Sequence, residues 1–308
     1  LSDLPGIDVK MDSQRKYVYG DTFKQLFGKI SSIPAESADL YKALGYSLDD
    51  QVGKSFLELQ YENLLKGTKE VQTTTTNRSG QITDSAITTT GQTGKDVVLT
   101  IDMELQQKVD QIVEEEFAKE PSAKGAYVVM MNPKTGEILA ISGKKRDGSK
   151  IEDNTYGALY NAYAMGSTVK GATVLTGYET GVISPGDVLV DTPITIGGLT
   201  KKSWTTMGAI NDLKALERSS NVYMFRIAMK IGKYDLNSKS GFKDPDTAYA
   251  TMRYYFSQFG LGVKTGIDLP NEATGYNGGV QKLGNLMDFA IGQFDTYTTL
   301  QLVQYVST

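Results

Sequence analysis

Residues 163–179 read YAMGSTVKGATVLTGYE, and this stretch decides how the rest of the chain is read. It holds Ser167, a lysine three residues later, Lys170, and no other charge before Glu179. From Val169 to Leu175 small residues are interleaved with aliphatic ones, which suits a helix packed closely on all sides. Gly166 and Gly181 are its start and stop signals. Positions three apart share a helix face. Ser167 Oγ and Lys170 Nζ are therefore expected to meet at the helix N-terminus, where free N–H groups and the positive dipole end favour developing negative charge. A free lysine, with a pKa of about 10.4, is a poor base near neutrality. Burial disfavours its charged form, and a neutral Lys170 is able to take the Ser167 proton and leave a nucleophile. Bringing its pKa down by about three units costs roughly 4 kcal/mol of environment.

The spacing alone does not select the site. S-x-x-K recurs at Ser13–Lys16, Ser142–Lys145 and Ser240–Lys243. Ser13 lies in a polar stretch, and Ser240 sits in the loop-like NSKSGFKDPD. Ser142 ends a strand-like run ahead of GKKRDG, read as a solvated turn. Only Ser167 opens a buried-looking helix.

Composition narrows the chemistry. The chain has 308 residues, room for two domains. Its net charge of −4, from 32 basic and 36 acidic side chains, comes with no basic stripe, so no nucleic-acid partner is expected. No apolar run approaches the roughly 18 residues of a membrane span, and no signal peptide is visible. There is no cysteine and no histidine. Thiol nucleophiles, cysteine or histidine metal sites and a Ser-His-Asp triad are thereby excluded. A serine acyl-transfer enzyme of this composition must use lysine, a carboxylate or tyrosine as its base.

Residues 1–96 are more polar than the rest. Short helices are expected at Ser37–Leu44 and Leu57–Leu65. The threonine-rich Val71–Thr90, with a turn at Asn77–Gly80, reads as an extended hairpin. After Gly91–Asp96 the pattern changes. Val97–Ile101 is predicted to be a strand, and Asp102 to cap a helix to about Phe117 with Leu105, Val109, Ile112, Val113 and Phe117 on one stripe. Gly125–Met131 and Glu137–Ser142 form a buried hairpin around Asn132–Gly136, the start of an α+β domain with a packed antiparallel sheet. Val182–Gly198 is turn-rich. Helices are expected from Asp212 through Ile231, from Thr247 to Phe259, and from Thr298 to Val306, the last with a Thr298/Gln301 capping box. Gly260–Gly279 reads as loop. For Trp204, the only tryptophan, the sequence leaves core and cleft lining as open alternatives.

Ser219-Ser220-Asn221, about fifty residues after Ser167, is the only S-x-N in the chain. S-x-x-K followed by S-x-N is the signature order of active-site serine penicillin-binding enzymes. With it go GYSLDDQVGKSFLELQYENLLKG (45–67), LTIDMELQQ (99–107), NPKTGEILAIS (132–142), MGSTVK (165–170), RSSNVYM (218–224), TGIDLPNEATG (265–275) and IGQFDTYTTLQLVQYV (291–306). Together these stretches resemble the class B penicillin-binding proteins, in the 2B branch of Gram-positive bacteria, over nearly the whole chain.

The resemblance implies a penicillin-binding transpeptidase (serine β-lactamase-like) domain at 97–308, lacking its C-terminal strands, behind an elongated β-rich pedestal and dimerisation domain at 1–96. It implies a peptidoglycan D,D-transpeptidase that cross-links stem peptides through an acyl-serine intermediate and is blocked by β-lactams. Ser167 would be the nucleophile and Lys170 its general base. Ser219 would relay a proton to the leaving amine, and Asn221 would bind the substrate amide and hold Lys170. The Ser167 N–H would supply half of the oxyanion hole. No cofactor or metal is implied. Partners would be stem peptides, β-lactam antibiotics, a membrane glycosyltransferase and divisome or elongasome proteins. The location would be the outer face of the cell membrane, anchored by an N-terminal transmembrane helix outside this chain.

The departure is the third motif, K-T-G. It occurs at Lys134-Thr135-Gly136 and Lys264-Thr265-Gly266. Neither is read as catalytic: the first is a hairpin turn, and the second precedes Pro270, which cannot donate to a ladder. In this family the working motif follows a segment like Ile291–Val306, beyond Thr308. A β-lactamase or β-lactam sensor is the first alternative, for which no deacylating base is identifiable. A non-catalytic cell-wall scaffold is the second, and labelling by fluorescent penicillin separates it from the enzyme.

Overall fold

The computed structural model describes residues 16–196, 198–234, 241–281 and 284–308. Asp102 behaves as the sequence predicts. Its Oδ1 accepts the Leu105 N–H at 3.0 Å and starts the helix Met103–Ala118, a cap worth about 1 kcal/mol. Val109 and Val113 of that helix pack with Ala140, Ala126 and Val128 of a three-stranded antiparallel sheet. The strands are Gly125–Met131, Ile138–Asp147 and Lys150–Asp153, in that order. Ile112 points away and is 46% exposed, so the apolar stripe is narrower than expected. Gln106 fills the gap. Its side-chain amide donates to Ile141 O at 2.8 Å and accepts from Ile141 N at 2.9 Å, so the buried amide and the Ile141 backbone satisfy each other. The other face of the sheet is covered by the helix Thr299–Ser307, whose Leu300 and Val303 meet Ile141, Val129 and Tyr127. Strand alternation produces the two faces.

A second core is helical. Lys170–Glu179, Asn221–Ile231, Pro245–Gln258 and Asn285–Ala290 pack around Val174, Phe225, Ile227, Met252 and Phe289. Gly177 lets this packing close, because a Cβ there would lie 2.8 Å from Ile183.

In the N-terminal part, Ile30–Ser32 pairs with Gln51–Gly53, and Val71–Thr76 with Ile82–Thr89. The threonine hairpin is exposed along Ile82–Thr89. Phe23 and Leu26 sit in the same cluster as Ile141 and Leu159. Gln25 ties the two parts by donating to Asp153 O and accepting from Thr155 N, both at 2.8 Å.

Several expectations are corrected. Val97–Ile101 is extended but forms no ladder. Thr100 Oγ bonds Ile138 O and Asp102 N bonds Leu139 O, single contacts along a strand that already has partners. Leu57–Leu65 is two short helices, Phe56–Gln60 and Glu62–Leu65, broken at Tyr61. Residues 143–147 are strand, not solvated turn. Lys144 is buried there and is held by Glu114 at 2.8 Å and Asp153 at 2.6 Å. Within Val182–Gly198, Leu189–Asp191 and Ile194–Ile196 are short strands. The expected helix from Asp212 to Ile231 is two, Asp212–Glu217 and Asn221–Ile231, with the S-x-N in the break.

Candidate active site

Ser167 does not head an α-helix directly. It lies on a 3₁₀ turn, Gly166–Val169, and the α-helix begins at Lys170. The turn is held from behind. Gly166 N donates to Gly292 O at 2.9 Å, and Gly292 has φ +71°. A Cβ on Gly292 would lie 2.3 Å from Gly166 O, so only glycine fits this approach. Tyr163 pairs with Tyr297 in a short antiparallel bridge on the same side. Deeper in, the Tyr305 hydroxyl accepts the Ala172 N–H at 3.2 Å, taking up one of the helix's free donors.

The Ser167 side is exposed, whereas Lys170 is only 2% exposed. The expected Ser167–Lys170 hydrogen bond is not formed, and among the described residues Ser167 Oγ has no hydrogen-bond partner. Lys170 Nζ instead donates to Ser219 O at 2.9 Å, Ser219 Oγ at 3.0 Å and Asn221 Oδ1 at 2.7 Å. Three acceptors match the three N–H bonds of an ammonium. A neutral amine keeps two of them, and its lone pair is then free to accept a hydroxyl proton. Burial pushes Lys170 down from 10.5 to about 8, and the Asp191 carboxylate pulls the other way.

The break between the two helices makes this grip. Ser219 has φ +52°, a left-handed conformation that costs a serine about 1–3 kcal/mol. It turns both its carbonyl and its hydroxyl toward one point. Ser220 then caps the next helix by accepting the Tyr223 N–H at 3.0 Å, and Asn221 is that helix's first residue.

Sequence reasoning missed Ser203 and Asp191. Ser203 Oγ accepts from Asn221 N at 3.0 Å and Val222 N at 3.1 Å, and donates to Asp191 Oδ2 at 2.6 Å. Ser220 Oγ donates to the same carboxylate oxygen. No local motif marks this network, since Asp191 lies 12 residues from Ser203 and 29 from Ser220. Trp204 resolves as an exposed neighbour of this network. The residue is 69% exposed, its Nε1 donates to Arg218 O at 2.9 Å, and the Arg218 guanidinium lies over its ring.

Among the described residues, the Ser142–Lys145 motif does not assemble a site. Ser142 is buried in mid-strand, where residues three apart point to opposite faces. Ser13 and Ser240 lie outside the described residues. Both K-T-G motifs are off the strands. Lys134–Gly136 is the hairpin turn. At the second, Thr265 N and Oγ both donate to Glu272, closing the loop on itself. Thr265 and Gly266 line a cavity of about 540 Å³ with Tyr61, Leu99, Pro133 and Ile138, away from Lys170.

Comparison with known proteins shows the family. The model of the penicillin-binding protein transpeptidase domain matches residues 126–308, and that of the penicillin-binding protein dimerisation domain matches residues 1–99. The chain belongs to the class B penicillin-binding proteins. Among curated members of the family, Penicillin-binding protein 2A of Bacillus subtilis (strain 168) is 48% identical, covering 100% of this chain and 45% of the relative. A more distant one, Peptidoglycan D,D-transpeptidase MrdA of Escherichia coli (strain K12), is 26% identical over 88% of this chain and 43% of its own. The solved penicillin-binding protein 2B of Streptococcus pneumoniae (strain 5204) superposes with a TM-score of 0.88 at 36% identity, covering 93% of this chain and 51% of that one. The chain thus spans about half the length of these class B relatives. The α+β fold, a transpeptidase domain behind an N-terminal dimerisation domain, is that of the solved relative. No described helix is long and apolar enough to cross a membrane.

Proposed function

We propose that the protein is a peptidoglycan D,D-transpeptidase that works through an acyl-serine intermediate on Ser167. The observation that carries this reading is the buried Lys170, lowered to about 8 and gripped by Ser219 and Asn221, one helical turn from an exposed serine. Neutral Lys170 takes the Ser167 proton as Oγ attacks the carbonyl of the penultimate D-alanine or of a β-lactam. The Ser167 N–H supports the developing oxyanion. Ser219, bonded to Lys170 through its hydroxyl, passes a proton to the leaving amine. Asn221 holds Lys170 through Oδ1 and offers its amide to the substrate. Residues from about 97 onward carry this chemistry, and residues 1–96 form a non-catalytic pedestal.

Stem peptides are the proposed substrates and β-lactams the inhibitors. A membrane glycosyltransferase and cell-division or elongation proteins are the proposed partners, at the outer face of the cell membrane. Intact mass with and without penicillin, followed by peptide mapping, is the test. A single adduct on Ser167 that disappears in Ser167→Ala is expected. An adduct that survives the substitution, or one mapped to Ser142 or Ser240, refutes the assignment.

A further inference from the structure

We infer that Asp191 is a positioning residue for the Lys170 base, acting through Ser203 and Ser220. The assignment rests on the acyl-serine reading above. Asp191 ends the strand Leu189–Asp191 and is 1% exposed. A buried carboxylate needs partners or a compensating charge. Here Oδ2 receives both serine hydroxyls, while Oδ1 is buried without a hydrogen-bond partner.

The direction of the hydrogen bonds shows what the carboxylate organises. Each serine has one hydroxyl proton, and both protons point at Asp191. The serine lone pairs are therefore left to accept N–H groups. Ser203 takes those of Asn221 and Val222, and Ser220 takes that of Tyr223. The first three free N–H groups of the Asn221–Ile231 helix are thus joined to one negative charge through two hydroxyls, as the helix dipole favours. The first residue of that helix is Asn221, whose Oδ1 lies 2.7 Å from Lys170 Nζ. Ser219, immediately before Ser220, supplies the other two acceptors. Asp191 therefore holds in place the whole set of groups that grip the base, and its charge also favours the ammonium form of Lys170.

The other charged groups near the Lys170 helix are paired elsewhere or exposed. Asp212 takes the Tyr178 hydroxyl, Arg253 pairs with Asp295, and Lys201 pairs with Asp288. Arg226 donates to Val190 O and Lys230 to Val182 O. Lys202 and Arg218, beside the network in sequence, are exposed, as are Lys214, Glu217 and Asp246.

Two variants separate position from charge, each read by NMR titration of the Lys170 side chain and by the pH profile of acylation with fluorescent penicillin in the intact protein. Asp191→Asn keeps an acceptor for both serines and removes the charge. Its Lys170 titration and its acylation profile should both move to lower pH. Ser203→Ala keeps the charge and frees two N–H groups. It should leave the Lys170 titration in place and lower the plateau rate by roughly tenfold to a hundredfold, the scale of a misplaced catalytic group. An Asp191→Asn titration that overlays wild type, or Ser203→Ala acylating at the wild-type plateau, overturns the assignment. If Asp191→Asn does not fold, Ser203→Ala and Ser220→Ala decide alone, and wild-type plateau rates in both overturn it. Absence of any penicillin adduct in wild type counts against the acyl-serine reading. The Lys170 titration in Asp191→Asn still decides whether Asp191 acts on Lys170.

Discussion

Replacing Lys170 with methionine should change how stability depends on pH, by an amount the structure sets. Lys170 is 2% exposed, and burial lowers it from 10.5 to about 8. Between those values the unfolded chain binds a proton that the native site does not. Stability therefore rises with pH across that window. Each pH unit is worth about 1.4 kcal/mol, so the wild type should gain about 3 kcal/mol relative to Lys170→Met between pH 7 and pH 10.5. Below about pH 7 the penalty is complete and the difference should be flat. Methionine also strips the donor from Ser219 O, Ser219 Oγ and Asn221 Oδ1, but that loss is independent of pH and drops out of the slope. Tyrosines that titrate in the same range are common to both proteins and cancel. Urea denaturation of both at half-unit steps from pH 6.5 to 10.5 measures the difference directly. A wild-type-minus-variant stability that is level across the range would show that Lys170 keeps its ordinary proton affinity, and the neutral-base argument would fail with it.

Acylation of Ser167 by penicillin should rise about tenfold from pH 7 to pH 9 and level off above the Lys170 midpoint; Lys170→Arg should not restore it, because a guanidinium stays charged. A flat profile, or an arginine variant near the normal rate, refutes the base assignment. Thr265→Ala should leave acylation within roughly a few-fold of wild type, since Thr265 serves Glu272 and not the Lys170 site; a large loss would return the second K-T-G to the chemistry. Gly292→Ala should reduce acylation roughly a hundredfold by displacing Gly166 and the Ser167 turn. Gly136→Ala, at a similarly positive φ but in open space, should cost about 1 kcal/mol of stability and leave acylation unchanged, and equal effects of the two would refute the clamp.

Local chemistry made much of this molecule legible without coordinates. Asp102 and Thr298 each cap the helix that starts at the next residue, and the hairpin turn at Asn132–Gly136 joins two uninterrupted apolar runs. The absence of histidine and cysteine left lysine, a carboxylate or tyrosine as the base of a serine enzyme, and burial-prone neighbours singled out Lys170 from three other S-x-x-K lysines. Tertiary structure decided what depends on contacts between distant segments. The helix predicted through Asp212–Ile231 breaks because Ser219 takes a left-handed conformation, stabilised by Lys170 and by the serine cap, which no propensity scale registers. Residues 143–147 look solvated by composition, yet Lys144 is buried because Glu114 and Asp153 come to it from other elements. Ser167 and Lys170 share a motif but no hydrogen bond, since three better-placed acceptors 49 and 51 residues away capture the ammonium. Asp191 has no motif at all. Its role exists only because a short strand delivers a carboxylate beneath two serines of other segments, and sequence periodicity carries no information about which segments the fold brings together.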